Sequence, residues 1–152
     1  MSNTFNKLFN LIENKDAVVG IIGLGYVGLP IVIRFCEEGF RVIGFDVDPA
    51  KIESVNKGKS YIKHIPSEKI ASFVKKPSPS FEATTDMSNL KRADAIIICV
   101  PTPLTDKREP DLTYIENTAK EIKKYLRPGQ LISLESTTYP GTTDELLLPL
   151  FE

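Results

Sequence analysis

Residues 17–22 read Ala-Val-Val-Gly-Ile-Ile, and the next six are Gly23-Leu24-Gly25-Tyr26-Val27-Gly28. A short apolar run rich in Val and Ile suits a central strand buried on both faces. After the glycines, Leu29, Val32, Ile33 and Cys36 recur at helical spacing against polar Arg34, Glu37 and Glu38. Pro30 fits the first turn of such a helix, and Gly39 fits its end. The order strand, G-x-G-x-x-G, helix is demanding. Gly23 permits a tight turn, Gly25 has no Cβ to block a pyrophosphate, and Gly28 lets the helix pack closely on the strand. The helix N-terminus turns unpaired N–H groups and a partial positive charge toward phosphates.

A second strand, Arg41–Phe45, ends at Asp46, 18 residues beyond Gly28. An acid about 20 residues on accepts hydrogen bonds from the adenosine ribose and repels a 2′-phosphate. This favours NAD over NADP, with Lys51, one helical turn later, weighing slightly the other way. Asp48, before Pro49, reads as the N-cap of a helix to about Lys57.

Farther along, residues 58–80 are irregular, with a short helix near Ser67–Lys75. Phe81–Thr85 suits a brief third strand, and Asp94–Val100 carries the strongest buried-strand pattern. A Pro/Thr loop leads to Asp111, which can cap a helix Leu112–Leu126 that ends at Arg127-Pro128-Gly129. Leu131–Leu134 is the next strand, and Thr142 opens a last helix. Strands alternating with helices predict an α/β fold: a Rossmann-type, doubly wound, mostly parallel sheet with helices on both faces, over residues 17–152. In residues 1–16, Phe5, Leu8, Phe9 and Ile12 predict an amphipathic helix packed on that domain.

Two polar clusters follow strand ends, where open α/β sheets bind ligands. One is Val100-Pro101-Thr102-Pro103. The other runs from Glu135 through Ser136, Thr137 and Thr138 to Tyr139-Pro140-Gly141. Turn chemistry and helix capping would explain such residues equally well, but the nucleotide motif gives Thr102 and Thr138 a candidate role.

The rest bounds the function. A net charge of -1 and a pI near 5.9 exclude a basic footprint for nucleic acid or anionic lipid. The uncharged stretch Ala17–Ile33 is interrupted by four glycines and Pro30, which argues against a membrane span. Cys36 and Cys99, 63 positions apart, offer neither a zinc spacing nor a disulfide framework, and both read as core residues in a reducing, cytoplasmic compartment. No metal site is expected. His64, the only histidine, reads as a surface residue, and Lys75-Lys76 as a solvated helix end.

Taken together, several strings become recognisable: Gly23-Leu-Gly-Tyr-Val-Gly-Leu-Pro, Gly44-Phe-Asp-Val-Asp, Ser60-Tyr-Ile-Lys-His-Ile, Cys99-Val-Pro-Thr-Pro-Leu, Arg108-Glu-Pro-Asp-Leu and Leu134-Glu-Ser-Thr-Thr-Tyr-Pro-Gly-Thr-Thr. In this order they resemble the N-terminal, NAD-binding part of the UDP-glucose/GDP-mannose (UDP-mannuronate) dehydrogenase family, and the UDP-N-acetylglucosamine 6-dehydrogenases in particular. The resemblance implies a four-electron oxidation of a UDP-sugar C6 alcohol to a carboxylate with two NAD, in a homo-oligomeric parent. It implies that Gly23, Leu24, Gly25, Tyr26, Val27 and Gly28 hold the pyrophosphate side, and Asp46 and Lys51 the adenosine ribose. Val100, Pro101 and Thr102 would lie along the cofactor, and Thr138 would meet the nicotinamide and help place the catalytic water.

The family's catalytic cysteine, which traps the aldehyde as a thiohemiacetal, and most of its sugar-binding residues belong to a later half. This chain is therefore expected to stop within the helix before a sixth strand, to bind NAD, and to lack turnover by itself. UDP-glucose and UDP-N-acetylmannosamine are the alternative sugars. Outside this class, a standalone NAD-sensing module and a methyltransferase compete; Gly28 and the family strings argue against the latter.

Overall fold

The computed structural model describes residues 3–106, 108 and 110–152. Met1 and Ser2 of the expected N-terminal helix, and Glu109 of the 108–112 string, lie outside the described residues. Five strands, β1 (Val18–Ile22), β2 (Arg41–Phe45), β3 (Phe81–Thr84), β4 (Ala95–Ile98) and β5 (Leu131–Leu134), form one sheet. Every pairing is parallel, in the order β3-β2-β1-β4-β5. The registers pair Ile22 with both Phe45 and Ile98, Phe45 with Thr84, and Ile98 with Leu134. The loops after all five strands therefore leave from one edge. The chain reverses its direction of winding between β1 and β4, which is where such sheets open a ligand crevice.

Alternation along the strands supplies two cores. Val19, Ile21 and Val42 face one layer with Leu24, Leu29, Val32, Val55 and Ile70. Ile22, Ile43, Phe45, Ile96 and Ile98 face the other with Ile115, Ala119, Ile122 and Leu147. The first layer holds α2 (Gly28–Glu37), α3 (Pro49–Asn56) and α4 (Ser67–Val74); the second holds α5 (Thr113–Tyr125) and the C-terminal helical turns. A strand apolar on both faces needs helices on both faces, and the sequence supplies them.

Local chemistry sets the boundaries. Asp48 caps α3 by accepting the Ala50 N–H at 2.9 Å, and Asp111 accepts the Thr113 N–H at 2.9 Å at the start of α5. Gly39 ends α2 with φ +93. Three details depart from the sequence reading. A 3-10 helix spans Met87–Arg92, begun by Asp86, whose carboxylate accepts the Ser88 N–H. The last helix opens as a π-turn over Thr143–Leu147, with the Leu148 N–H bonded to the Thr143 carbonyl, before α6 (Leu148–Phe151). Pro149 explains it: its ring crowds the carbonyl four residues back and offers no N–H, so the preceding turn widens.

The third departure concerns α1 (Asn3–Glu13). Its packed face is rotated toward Leu11, which with Ile12 lies against the core. Phe5 and Phe9 remain 53% exposed, their rings stacked at 6.2 Å. One helix beside a sheet domain meets it along a single line, and here that line misses two of the four residues in the expected stripe. Among the described residues, no helix is long and apolar enough to cross a membrane.

Candidate functional site

The glycine loop bridges β1 and α2 at the carboxyl edge. Gly23 has φ +94, and a Cβ there would stand 2.4 Å from the Cys99 carbonyl oxygen. Gly28 is closer still: its Cβ would lie 1.7 Å from the Gly23 carbonyl oxygen, so the helix sits directly on the turn. Gly25 is the opposite case, since a Cβ would meet nothing within 4 Å. The three glycines thus serve a left-handed turn, a close backbone approach and an open cradle. The first helical bond runs from the Leu29 N–H to the Gly25 carbonyl at 3.1 Å, and Val27 offers no side-chain cap. The N–H groups just before it have no intrahelical partner and suit an anion.

Leu24 is turned inward. Its side chain is fully buried and seats over Gly44, where a Cβ would come within 2.9 Å of it. Its N–H donates to Asp46 Oδ2 at 2.9 Å, and its carbonyl accepts the Tyr61 hydroxyl at 2.5 Å. Asp46 Oδ1 accepts the Asp48 N–H at 3.0 Å, and Lys51 Nζ donates to Oδ2 at 3.3 Å. Each Asp46 oxygen retains acceptor capacity, as a carboxylate offers about four lone-pair sites. Lys51, itself partly exposed, is thus paired with that carboxylate.

The other expected residues line the same edge. Val100 follows Cys99 beside Gly23, and its carbonyl accepts the Ser136 hydroxyl at 2.8 Å, joining the loops after β4 and β5. Pro101 is exposed and Thr102 half-buried. Thr138 lies on the loop after β5, its hydroxyl donating to the Tyr139 carbonyl at 3.5 Å. That loop is held by buried Thr142, which donates to the same carbonyl at 2.8 Å. The structure brings the glycine loop, Asp46, Lys51 and Val100 into one contact network and leaves Thr102 and Thr138 on neighbouring loops. Exposed apolar side chains accompany them: Tyr26, Val27 and Val47.

Sequence reasoning placed Tyr61, Gly44 and Ser136 in recognised strings but gave none of them an individual role. Tyr61 stands in the irregular 58–80 stretch, where no periodicity marks a partner. Gly44 carried a local signal, an isolated glycine inside a strand, which indicates close approach. Cys36 and Cys99 are buried, as expected for core residues, and burial pushes both thiols up to about 11. A cavity of about 240 Å³ lies between α1, Asp94 and Arg127–Gly129. It is at the amino ends of β4 and β5, the wrong edge for a nucleotide on this sheet. Among the described residues, no group of three His, Cys, Asp or Glu could hold a metal ion.

A parallel sheet with this strand order, a glycine turn feeding a helix N-terminus and an acid ending β2 define a dinucleotide-binding domain. The chain belongs to the UDP-glucose/GDP-mannose dehydrogenase family, whose NAD binding domain matches residues 17–152. It is 32% identical over 138 residues to a UDP-N-acetyl-D-glucosamine 6-dehydrogenase of Pseudomonas aeruginosa, covering 91% of this chain and 31% of that protein. With a UDP-N-acetyl-D-mannosamine dehydrogenase of Campylobacter jejuni it shares 41% over 134 residues, covering 88% of this chain and 32% of the relative. A crystal structure of GDP-mannose dehydrogenase from Pseudomonas aeruginosa superimposes with a TM-score of 0.82 at 32% identity, over 88% of this chain and 31% of that one. The chain therefore spans about a third of the length of these relatives. It carries that family's NAD binding domain, and the open space at Gly25 beside unclaimed N–H groups fits NAD.

Proposed function

We propose that this domain serves an enzyme that oxidises the C6 hydroxymethyl group of UDP-N-acetylglucosamine to a carboxylate. NAD, when bound, supplies the hydride acceptor, and two equivalents are needed for the four electrons. The chain's own residues bind and orient. Amide donors of Tyr26, Val27 and Gly28 face the pyrophosphate, and Asp46 accepts from the adenosine ribose. Val100, Pro101 and Thr102 border the cofactor, and Thr138 holds the nicotinamide end and the catalytic water. The sugar is bound mainly by residues outside this chain, which by itself binds NAD without turnover. Cytoplasmic residence accords with two free, buried cysteines, and the parent is a homo-oligomer.

The observation that carries the reading is the tie between Asp46 and the glycine loop, which sets a carboxylate beside the open Gly25 cradle. Calorimetric titration tests it: NADH binds the chain, and NADPH binds at least tenfold more weakly. Equal affinities, or no binding of either, would refute it. UDP-N-acetylmannosamine is the second reading, favoured by the 41% identity to the Campylobacter relative. Turnover of the two epimers by the enzyme this domain is proposed to serve separates the two readings, and UDP-glucose is the third arm of that assay.

A further inference from the structure

Leu24 is gripped at three points, and one of them comes from a segment that the dinucleotide motif does not include. Gly44 seats its side chain and Asp46 takes its N–H. Tyr61, 37 residues away, donates its hydroxyl to the Leu24 carbonyl. That carbonyl and the Gly25 N–H belong to one peptide unit, and there is no cis bond among the described residues. In a trans peptide the C=O and N–H point in opposite directions. Holding the carbonyl on Tyr61 therefore aims the Gly25 N–H away from Tyr61 and sets the plane from which the Tyr26–Gly28 turn departs.

Tyr61 is itself held firmly. The Ser60 hydroxyl accepts the Ile62 N–H at 3.1 Å and donates to the Ile62 carbonyl at 3.0 Å. The Ser60 N–H donates to the Ser67 hydroxyl at 3.0 Å. Ile62 and Ile65 are buried on either side of His64. A second contact joins the same two segments: the Tyr26 and His64 rings stack at 6.3 Å and 27°. Burial raises the Tyr61 phenol above its ordinary value, with Asp46 and Asp48 adding to the effect, so it stays protonated and able to donate.

We propose that Tyr61 is a positioning residue for cofactor binding, its hydroxyl orienting the Leu24–Gly25 peptide so that the following amides present correctly to a diphosphate. This rests on the reading of Gly23–Gly28 as the pyrophosphate loop. Tyr61→Phe keeps the ring and its packing and removes only the donor. Three probes are titrated into the wild type and the variant: NADH, ADP and adenosine. NADH and ADP weaken about tenfold in the variant, while adenosine, which lacks phosphates, binds unchanged. The melting temperature falls by about 4 °C or less.

In ligand-free amide NMR spectra the Gly25 and Tyr26 resonances shift, and Gly25 exchanges faster with solvent. An equal loss for adenosine and ADP, or unshifted Gly25 and Tyr26 resonances, overturns the proposal. If the wild type fails to bind NADH, the pyrophosphate-loop reading fails on its own, and the ligand-free spectra still decide whether Tyr61 orients the peptide.

Discussion

The Asp46 carboxylate accepts the Leu24 N–H at 2.9 Å, joining the end of β2 to the loop after β1. The side chain is only 7% exposed, so this acid holds the loop in addition to the ribose contact proposed for it. Asp46→Ala should therefore fail twice. Stranding a buried N–H costs about 1–3 kcal/mol, seen in a denaturant titration. The loss of the charged acceptor weakens NADH about tenfold or more, seen by calorimetry.

The glycines should separate stability from binding. Gly28→Ala drives a methyl to 1.7 Å from the Gly23 carbonyl oxygen, and the loss should reach about 3 kcal/mol or more, or prevent folding. Gly25→Ala places its methyl in open space. Its melting curve should match the wild type, while NADH affinity falls because the methyl occupies the cradle.

Both thiols are raised from 9.0 to about 11 by burial. A group whose folded value lies above its unfolded one contributes stability below the unfolded value and loses it as pH rises through the folded one. Unfolding free energy should then fall between pH 9 and 11 by on the order of a few kcal/mol. The Cys36→Ala/Cys99→Ala double variant should show a flatter profile over this window. At neutral pH, a thiol reagent should find neither cysteine until denaturant is added.

The two edges of the sheet are treated differently. On β3, Asn56 donates to the Ala83 carbonyl at 2.7 Å and accepts the Ala83 N–H at 2.9 Å, imitating a neighbouring strand. Asn56→Ala should release both groups, cost about 1–2 kcal/mol and speed Ala83 amide exchange.

On the opposite edge, β5 carries a half-exposed Leu131 and, among the described residues, borders only β4. An open edge of this kind templates pairing with another chain. Light scattering at rising concentration should show self-association that Ser133→Lys suppresses; a monomer throughout would count against it.

Much of the architecture was readable along the chain. Val19, Ile21 and Ile22 announced a strand buried on two faces, and the Asp48-Pro49 pair announced a cap and a first turn. The glycine spacing named the ligand class: the backbone requires glycine at 23 and 28, while Gly25 leaves open the space a pyrophosphate would fill. The π-turn at Thr143–Leu147 could have been anticipated from Pro149, whose missing N–H is a local fact. The rotation of α1 toward Leu11 could not, because the face a helix buries depends on the surface it meets.

The amino-acid order alone determined the elements, their alternation and the acid that ends β2, since period, capping and steric exclusion act over a few neighbouring residues. Folding in three dimensions was needed to bring Tyr61, Asp46 and Gly44 onto Leu24. Those contacts span 20 to 37 positions, a separation at which chain distance carries no information about spatial distance. The direction in which one peptide faces is settled by such long-range partners.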